Sequence, residues 1–168
     1  ANVSGTSIYP SLEGTRPILI EVQALVTNAN YNTAQRNVTG FNYKRLGMLT
    51  AVLEKRIGLA MGTKDIFVNL VGGLKIDDPA ADLSIISAIA SSTMDKYIEK
   101  DIILCGEVGL TGEVRSISHL HHRIAEALSL GFKKAIVPSY GMKEKLKNID
   151  MDLYPVKNVK ETFKILFQ

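Results

Sequence analysis

The segment from Pro79 to about Met94 is the feature that most restricts the fold. It places Ala80, Ala81, Leu83, Ile85, Ile86, Ala88, Ile89 and Ala90 around nearly the whole circumference of a helix. Such a helix has no face to give to water, so protein must enclose it on most sides. Asp77 or Asp78 is positioned to cap it, Pro79 suits its first turn, and Asp82 lies near the positive end of its dipole. A chain of 168 residues, 46% of them hydrophobic, is long enough to build one core around such an element. A single domain over residues 1–168 is therefore expected.

The pattern on either side supplies the enclosing elements. Pro17 to Thr27 mixes β-formers with partial alternation and predicts a strand, preceded by a short one around Ser7 to Tyr9. The polar, Asn-rich run from Asn28 to Asn37 predicts an exposed loop. Asn42 can cap a helix to about Ile57, with Leu46, Leu49, Leu53 and Ile57 at helical spacing and Gly58 as its stop. On that wheel Lys44 and Lys55 point outward, while Arg45 and Arg56 flank the apolar stripe with their heads in solvent. Ile66 to Val71 predicts a buried strand, and Asp101 to Val108 and Gly112 to Ile117 predict two strands around a Gly-containing turn. Ser118 is expected to cap a helix whose Leu120, Ile124 and Leu128 face inward until Gly131. Then come a strand (Lys134 to Val137), a short helix (Met142 to Asn148), a strand (Leu153 to Val156) and a closing helix (Val159 to Phe167). Interleaved strands and helices with hairpins among them give an α+β (mixed α/β) class, with helices laid against a sheet.

Twenty basic against seventeen acidic side chains leave a formal charge of +3, too little by itself to argue for a polyanion partner. Distribution is more informative than the sum. From Gln35 to Lys64 there are six Lys or Arg and one acid, Glu54, whereas Ile76 to Glu113 carries eight acids and two lysines, so surface patches of one sign are expected. One cysteine, Cys105 in an apolar run, excludes an intramolecular disulfide and reads as a small buried hydrophobe. With no apolar stretch long enough to span a bilayer and no signal pattern, a cytoplasmic protein without a membrane partner is expected. The first residue, Ala1, is not a start methionine, which suggests a fragment.

Neither a Walker A motif nor a dinucleotide fingerprint occurs, so the chain itself is not expected to hydrolyse ATP. His119 and His122 share a helical face at i, i+3, but with no carboxylate motif beside them no metal site is expected. Five blocks in order carry a more specific signal. They are Glu13 to Pro17 (EGTRP), Ala51 to Arg56 (AVLEKR), Gly72 to Leu83 (GGLKIDDPAADL), Gly106 to Arg115 (GEVGLTGEVR) and Gly131 to Pro138 (GFKKAIVP). Together they resemble the Lon-protease-like C-terminal domain of the bacterial RadA (Sms) family, over nearly the whole chain from Ser4 to Phe167.

That resemblance implies a ribosomal protein S5 domain 2-like, Lon peptidase-type fold. Active Lon-type peptidases place a nucleophilic serine in Gly-Pro-Ser-Ala-Gly at a helix start and a lysine base in Gly-Gly-Leu-Lys. Laid on this chain, the motifs fall on Asp78 to Asp82 and on Ser118 to His121, so Ala80 stands where the serine would be and His121 where the lysine would be. A base without a nucleophile does no acyl transfer, so no catalytic residue is expected. Ser84, one turn on, is the nearest substitute, but a helix-interior position lacks the exposed elbow and oxyanion donors. The family implies a zinc finger and a RecA-like ATPase upstream, with ATP, Mg and Zn bound there and no cofactor here. It also implies a homo-oligomeric, hexameric ring acting on single-stranded or branched DNA in recombinational repair. On that reading Arg36, Lys44, Arg45, Arg56, Lys75 and Arg115 supply phosphate contacts that do not read bases. Tyr31, Phe41 and Tyr43 add little stacking surface. The alternatives are a residual Lon-type serine peptidase using Ser84 with His121, or a purely structural oligomerisation module.

Overall fold

The computed structural model describes residues 2–30, 33–72, 75–140, 146 and 149–168. Strands β1 (Thr6–Glu13) and β2 (Arg16–Asn28) form an antiparallel hairpin, turned at Gly14 with φ +63°. Both are longer than the sequence pattern predicts. After β2 comes β3 (Arg36–Thr39), then helix α1 (Tyr43–Val52), a single π-helical turn (Leu53–Ile57) and β4 (Lys64–Val71). β4 lies antiparallel to β2 and parallel to β3, which gives a four-stranded sheet in the order β1-β2-β4-β3. The expected exposed loop from Asn28 to Asn37 therefore ends in an edge strand. Asp65 holds its start by accepting from Gln35 N at 2.7 Å.

A 3-10 turn (Pro79–Ala81) leads into α2 (Asp82–Met94). Every residue from Ala80 to Ser91 is buried, as the sequence composition demands. The helix packs on β1 and β2 on one side and is walled by β5 (Ile102–Leu104), α1 and the C-terminal helix α4 (Val159–Phe167). Its serines tie it to these neighbours. Ser7 Oγ donates to Ser84 O at 2.7 Å, Gly5 N donates to Ser91 Oγ at 2.8 Å and Val26 N donates to Ser92 Oγ at 2.9 Å. A hydroxyl inside an apolar helix is tolerated because it satisfies sheet polar groups that the packing would otherwise strand.

The second sheet is parallel, in the order β5-β8-β9, with β8 at Lys134–Pro138 and β9 at Asp152–Val156. β5 and the central β8 are nearly continuous buried runs, as expected when both faces are covered. Between β5 and β8 come a small hairpin of β6 (Glu107–Val108) and β7 (Val114–Arg115), then α3 (Leu120–Ser129). The continuous strand expected from Asp101 to Val108 is thus broken at Cys105 and Gly106. Ser118 is not the cap of α3. His119 occupies that position at φ +56° without a side-chain hydrogen bond, and Ser118 gives its carbonyl to Arg123 instead. The expected short helix from Met142 to Asn148 lies, apart from Leu146, outside the described residues. Cys105 is fully buried, and burial pushes its thiol up to about 12. The architecture is mixed α/β with parallel and antiparallel sheets. No helix among the described residues is long and apolar enough to cross a membrane.

Candidate functional site

The head of α2 is where the chain concentrates buried charge. Asp78 closes the entering turn, its carboxylate accepting from Ala80 N at 3.0 Å. Gly106 pairs with the same turn through Gly106 N to Ala80 O at 2.9 Å and Leu83 N to Gly106 O at 3.0 Å. A β-carbon on Gly106 would come within 2.7 Å of Val114 Cγ1 and 3.5 Å of Leu83 Cδ2. Gly106→Ala is therefore expected to cost about 1–3 kcal/mol through overpacking, read as a lower urea midpoint.

Two arginines from different helices reach this head. Arg123 of α3 is wholly buried. Its Nε donates to Ser118 O at 2.9 Å, its Nη1 to Tyr9 Oη at 2.9 Å and to Pro10 O at 2.8 Å, and its Nη2 to Asp78 Oδ2 at 2.6 Å. One guanidinium thus ties together β1, the turn before α2 and the start of α3. Burial alone would raise the Asp78 carboxyl, but the Ala80 N–H, Arg123 and the Tyr9 hydroxyl together hold it below the usual range. Burial pushes the Tyr9 phenol well above its ordinary value.

Arg45 of α1 forks onto Asp82, Nε to Oδ1 at 2.8 Å and Nη2 to Oδ2. The second Asp82 oxygen also accepts from Val108 N at 3.0 Å. The Asp82 side chain is 1% exposed and that of Arg45 31%. Hydrogen bonding to Asp82 raises Arg45 further, while burial pushes the Asp82 carboxyl up against the pull of Arg45 and Val108 N. With a guanidinium fork and a backbone N–H on its two oxygens, the carboxylate form has the partners that make a buried charge tolerable near neutral pH. The Arg45 head, expected in solvent, is thus tied to Asp82 while its side chain stays partly exposed.

The positions that resemble a peptidase site behave differently from one another. Ala80 is buried with its methyl enclosed, and His121 is exposed in the first turn of α3. The Ser84 hydroxyl faces two carbonyls, Leu104 O at 2.6 Å and Ile8 O at 3.2 Å, and donates to the nearer. That hydroxyl is buried and engaged with the main chain of the core. His119 and His122 stand edge to face with centroids 6.4 Å apart, and among the described residues no group of three His, Cys, Asp or Glu could hold a metal.

The structure divides the six expected phosphate contacts. Arg36 turns inward, its Nη2 donating to Met61 O at 2.8 Å and its Nη1 to Thr50 Oγ1 at 3.4 Å. Arg45 is engaged as described, and Arg115 pairs with Glu113 at 2.9 Å. The Thr111 hydroxyl foremost, with Arg115 adding to it, brings the Glu113 carboxyl down to about 2. Arg56 stands on the π-helical turn, where its Nε reaches Leu110 O at 3.3 Å, so Arg45, Arg56 and Arg115 all gather at the β6–β7 hairpin. Lys44 is exposed beside Arg45, and Lys75 is exposed next to Ile76, which bridges to Phe41 just before α1. Lys44, Arg56 and Lys75 are the exposed members without an ion pair among the described residues.

Sequence reasoning misses Arg123 and Tyr9. The available signal is a cation inside the apolar stripe of α3, between Leu120, Ile124 and Ala127, where only a partnered charge is tolerated.

A family model described as subunit ChlI of Mg-chelatase matches residues 45–140, more than half of the chain and the span that holds the α2 head. DNA repair protein RadA of Aquifex aeolicus is 43% identical over 168 residues, 99% of this chain and 37% of that protein. The chain belongs to the family that the ChlI model describes and is a RadA-type region. RadA of Bacillus subtilis is 42% identical over 98% of the chain, and RadA of Chlamydia muridarum 38% over 97%. The chain covers 36% of each of these two, so it spans a little over a third of the RadA relatives it matches.

Proposed function

We propose that this RadA-type region is a non-proteolytic scaffold domain of Lon peptidase type, with a ribosomal protein S5 domain 2-like fold, serving a DNA repair protein. The carrying observation is the head of α2, where an enclosed methyl at Ala80 stands between two Arg–Asp pairs. A nucleophile needs an exposed oxygen with anion-stabilising donors beside it. Here the nearest polar groups on either side already hold one another. The names of the relatives support a DNA repair role. On this reading the parent protein is a cytoplasmic, DNA-dependent ATPase whose zinc finger and RecA-like domain bind Zn, ATP and Mg, and this domain supports its hexameric ring.

DNA contact is assigned first to Lys44, Arg56 and Lys75, which can meet phosphates without giving up an ion pair. Arg36, Arg45 and Arg115 are held by partners within the protein. The chain is expected to bind single-stranded and branched DNA weakly, with steep salt dependence and no sequence preference. The Lys44→Glu, Arg56→Glu, Lys75→Glu variant should weaken binding at low salt at least tenfold. It should also reduce the slope of log affinity against log salt by about one for each phosphate left unneutralised. Fluorescence anisotropy with labelled oligonucleotides reads both. Unchanged affinity would remove the DNA assignment, and a changed oligomer mass with unchanged affinity would give those charges to subunit contacts.

A further inference from the structure

Away from the α2 head, α4 and the π-helical turn enclose an open groove of about 270 Å³. Its floor is apolar, made by Ile57, Met94, Phe163 and Phe167, and Lys96, Lys160 and Lys164 stand around it. On α4 the pairs Phe163/Phe167 and Lys160/Lys164 are each spaced i, i+4, so the apolar and cationic rows run side by side. Phe163 and Phe167 pack edge to face with centroids 5.3 Å apart. Phe163 is 8% exposed, which closes its ring face to a stacking base, while Phe167 is half-buried. None of the residues lining the groove is acidic. The nearby carboxylates are engaged elsewhere, Asp95 accepting from Ser4 Oγ at 2.9 Å and Glu161 turned toward Lys157 N.

We infer that this groove docks a short acidic peptide segment carrying an apolar side chain, such as an acidic tail on a protein partner. Charge complementarity selects the acidic character, since three lysines, Lys96 with its Nζ 3.5 Å from Phe167 O, meet a groove without an acidic side chain in its lining. The apolar floor selects a peptide over a nucleic acid. Phosphates would satisfy the lysines but leave Phe167, Met94 and Ile57 against water, whereas an inserted leucine or phenylalanine covers them. The groove has room for one or two such side chains, not for a whole cofactor.

The test is fluorescence anisotropy with a fluorescein-labelled peptide of alternating aspartate and leucine. Controls are an all-aspartate peptide of equal length, a labelled DNA oligonucleotide, and the Lys160→Glu, Lys164→Glu variant. The expected result is saturable binding of the aspartate–leucine peptide, at least tenfold weaker for the all-aspartate peptide and at least tenfold weaker for the variant. The Lys44→Glu, Arg56→Glu, Lys75→Glu variant should bind the peptide within about twofold of the unchanged chain, which separates this groove from the proposed DNA face. Absence of saturable binding overturns the inference. So does equal binding of the all-aspartate peptide, or competition by the oligonucleotide at equal concentration, because either would make the lysines a general polyanion surface. A doubled mass in light scattering that disappears in the Lys160→Glu, Lys164→Glu variant would give the groove to a second copy and overturn it too.

Discussion

Replacing Arg123 by methionine is expected to lower the stability of the folded chain by about 3–5 kcal/mol, the range seen when one partner of a buried ion pair is removed. The loss has a structural origin that methionine cannot repair. Tyr9 Oη, Pro10 O, Ser118 O and Asp78 Oδ2 all accept from this one guanidinium. Asp78 is about a third exposed, so water can take back part of its charge, but Pro10 O and the buried Tyr9 hydroxyl have no such recourse. Arg123→Lys should recover little of the loss, because one ammonium on a flexible stem cannot span acceptors that a planar fork meets in fixed directions. Urea denaturation followed by circular dichroism measures both. A shift of less than about 1 kcal/mol for Arg123→Met would show that the network adds nothing beyond packing.

The two charged pairs also show where sequence reasoning reaches and where it stops. A helix that is apolar on every side announces its own burial, so the place of α2 is readable from composition, as are an aspartate cap at Asp77 or Asp78, which in the fold is Asp78 on the turn before α2, and the closing helix over Val159–Phe167. These are local signals, contained within a few residues. Strand β3 is not readable, because four residues with Asn37 among them become a strand only when β4 supplies the parallel partner. The π-helical turn is hidden for a similar reason. Apolar spacing from Leu46 to Ile57 suits a plain helix, and the extra residue shows in bonds such as Gly58 N to Leu53 O at 2.9 Å. For the site, Ala80 and its exposed companion His121 are visible as chemistry missing from a pattern. The pairing of Arg45 with Asp82 and of Arg123 with Asp78 crosses 37 and 45 residues of sequence, and nothing local indicates either. That is why Arg45 reads as a solvated cation in the sequence and as a buried carboxylate's partner in the fold.

Removing Arg45 separates these roles, and its signature is in pH. Arg45→Met leaves Asp82 enclosed with Val108 N as its remaining partner, so a loss of about 3–5 kcal/mol near neutral pH is expected. Burial already pushes the Asp82 carboxyl above the ordinary range, and without the guanidinium it must rise further. A carboxyl whose folded-state pKa exceeds its unfolded value near 3.9 contributes stability that is fully present below that value. The contribution is lost as pH rises through the folded pKa. The variant should therefore recover stability as pH falls from neutral toward the unfolded value. Asp78 has the opposite sign. Its depressed carboxyl gives stability above the unfolded value that is lost as pH falls through the folded one, in the variant and the unchanged chain alike. The difference between the two stability curves should accordingly narrow on acidification, and it isolates Asp82. Arg45→Met with Asp82→Asn should remove most of the narrowing, since an amide keeps an acceptor for Val108 N and carries no charge to bury. If Arg45→Met instead runs parallel to the unchanged chain at every pH while weakening DNA binding, Arg45 serves phosphates and not the head of α2.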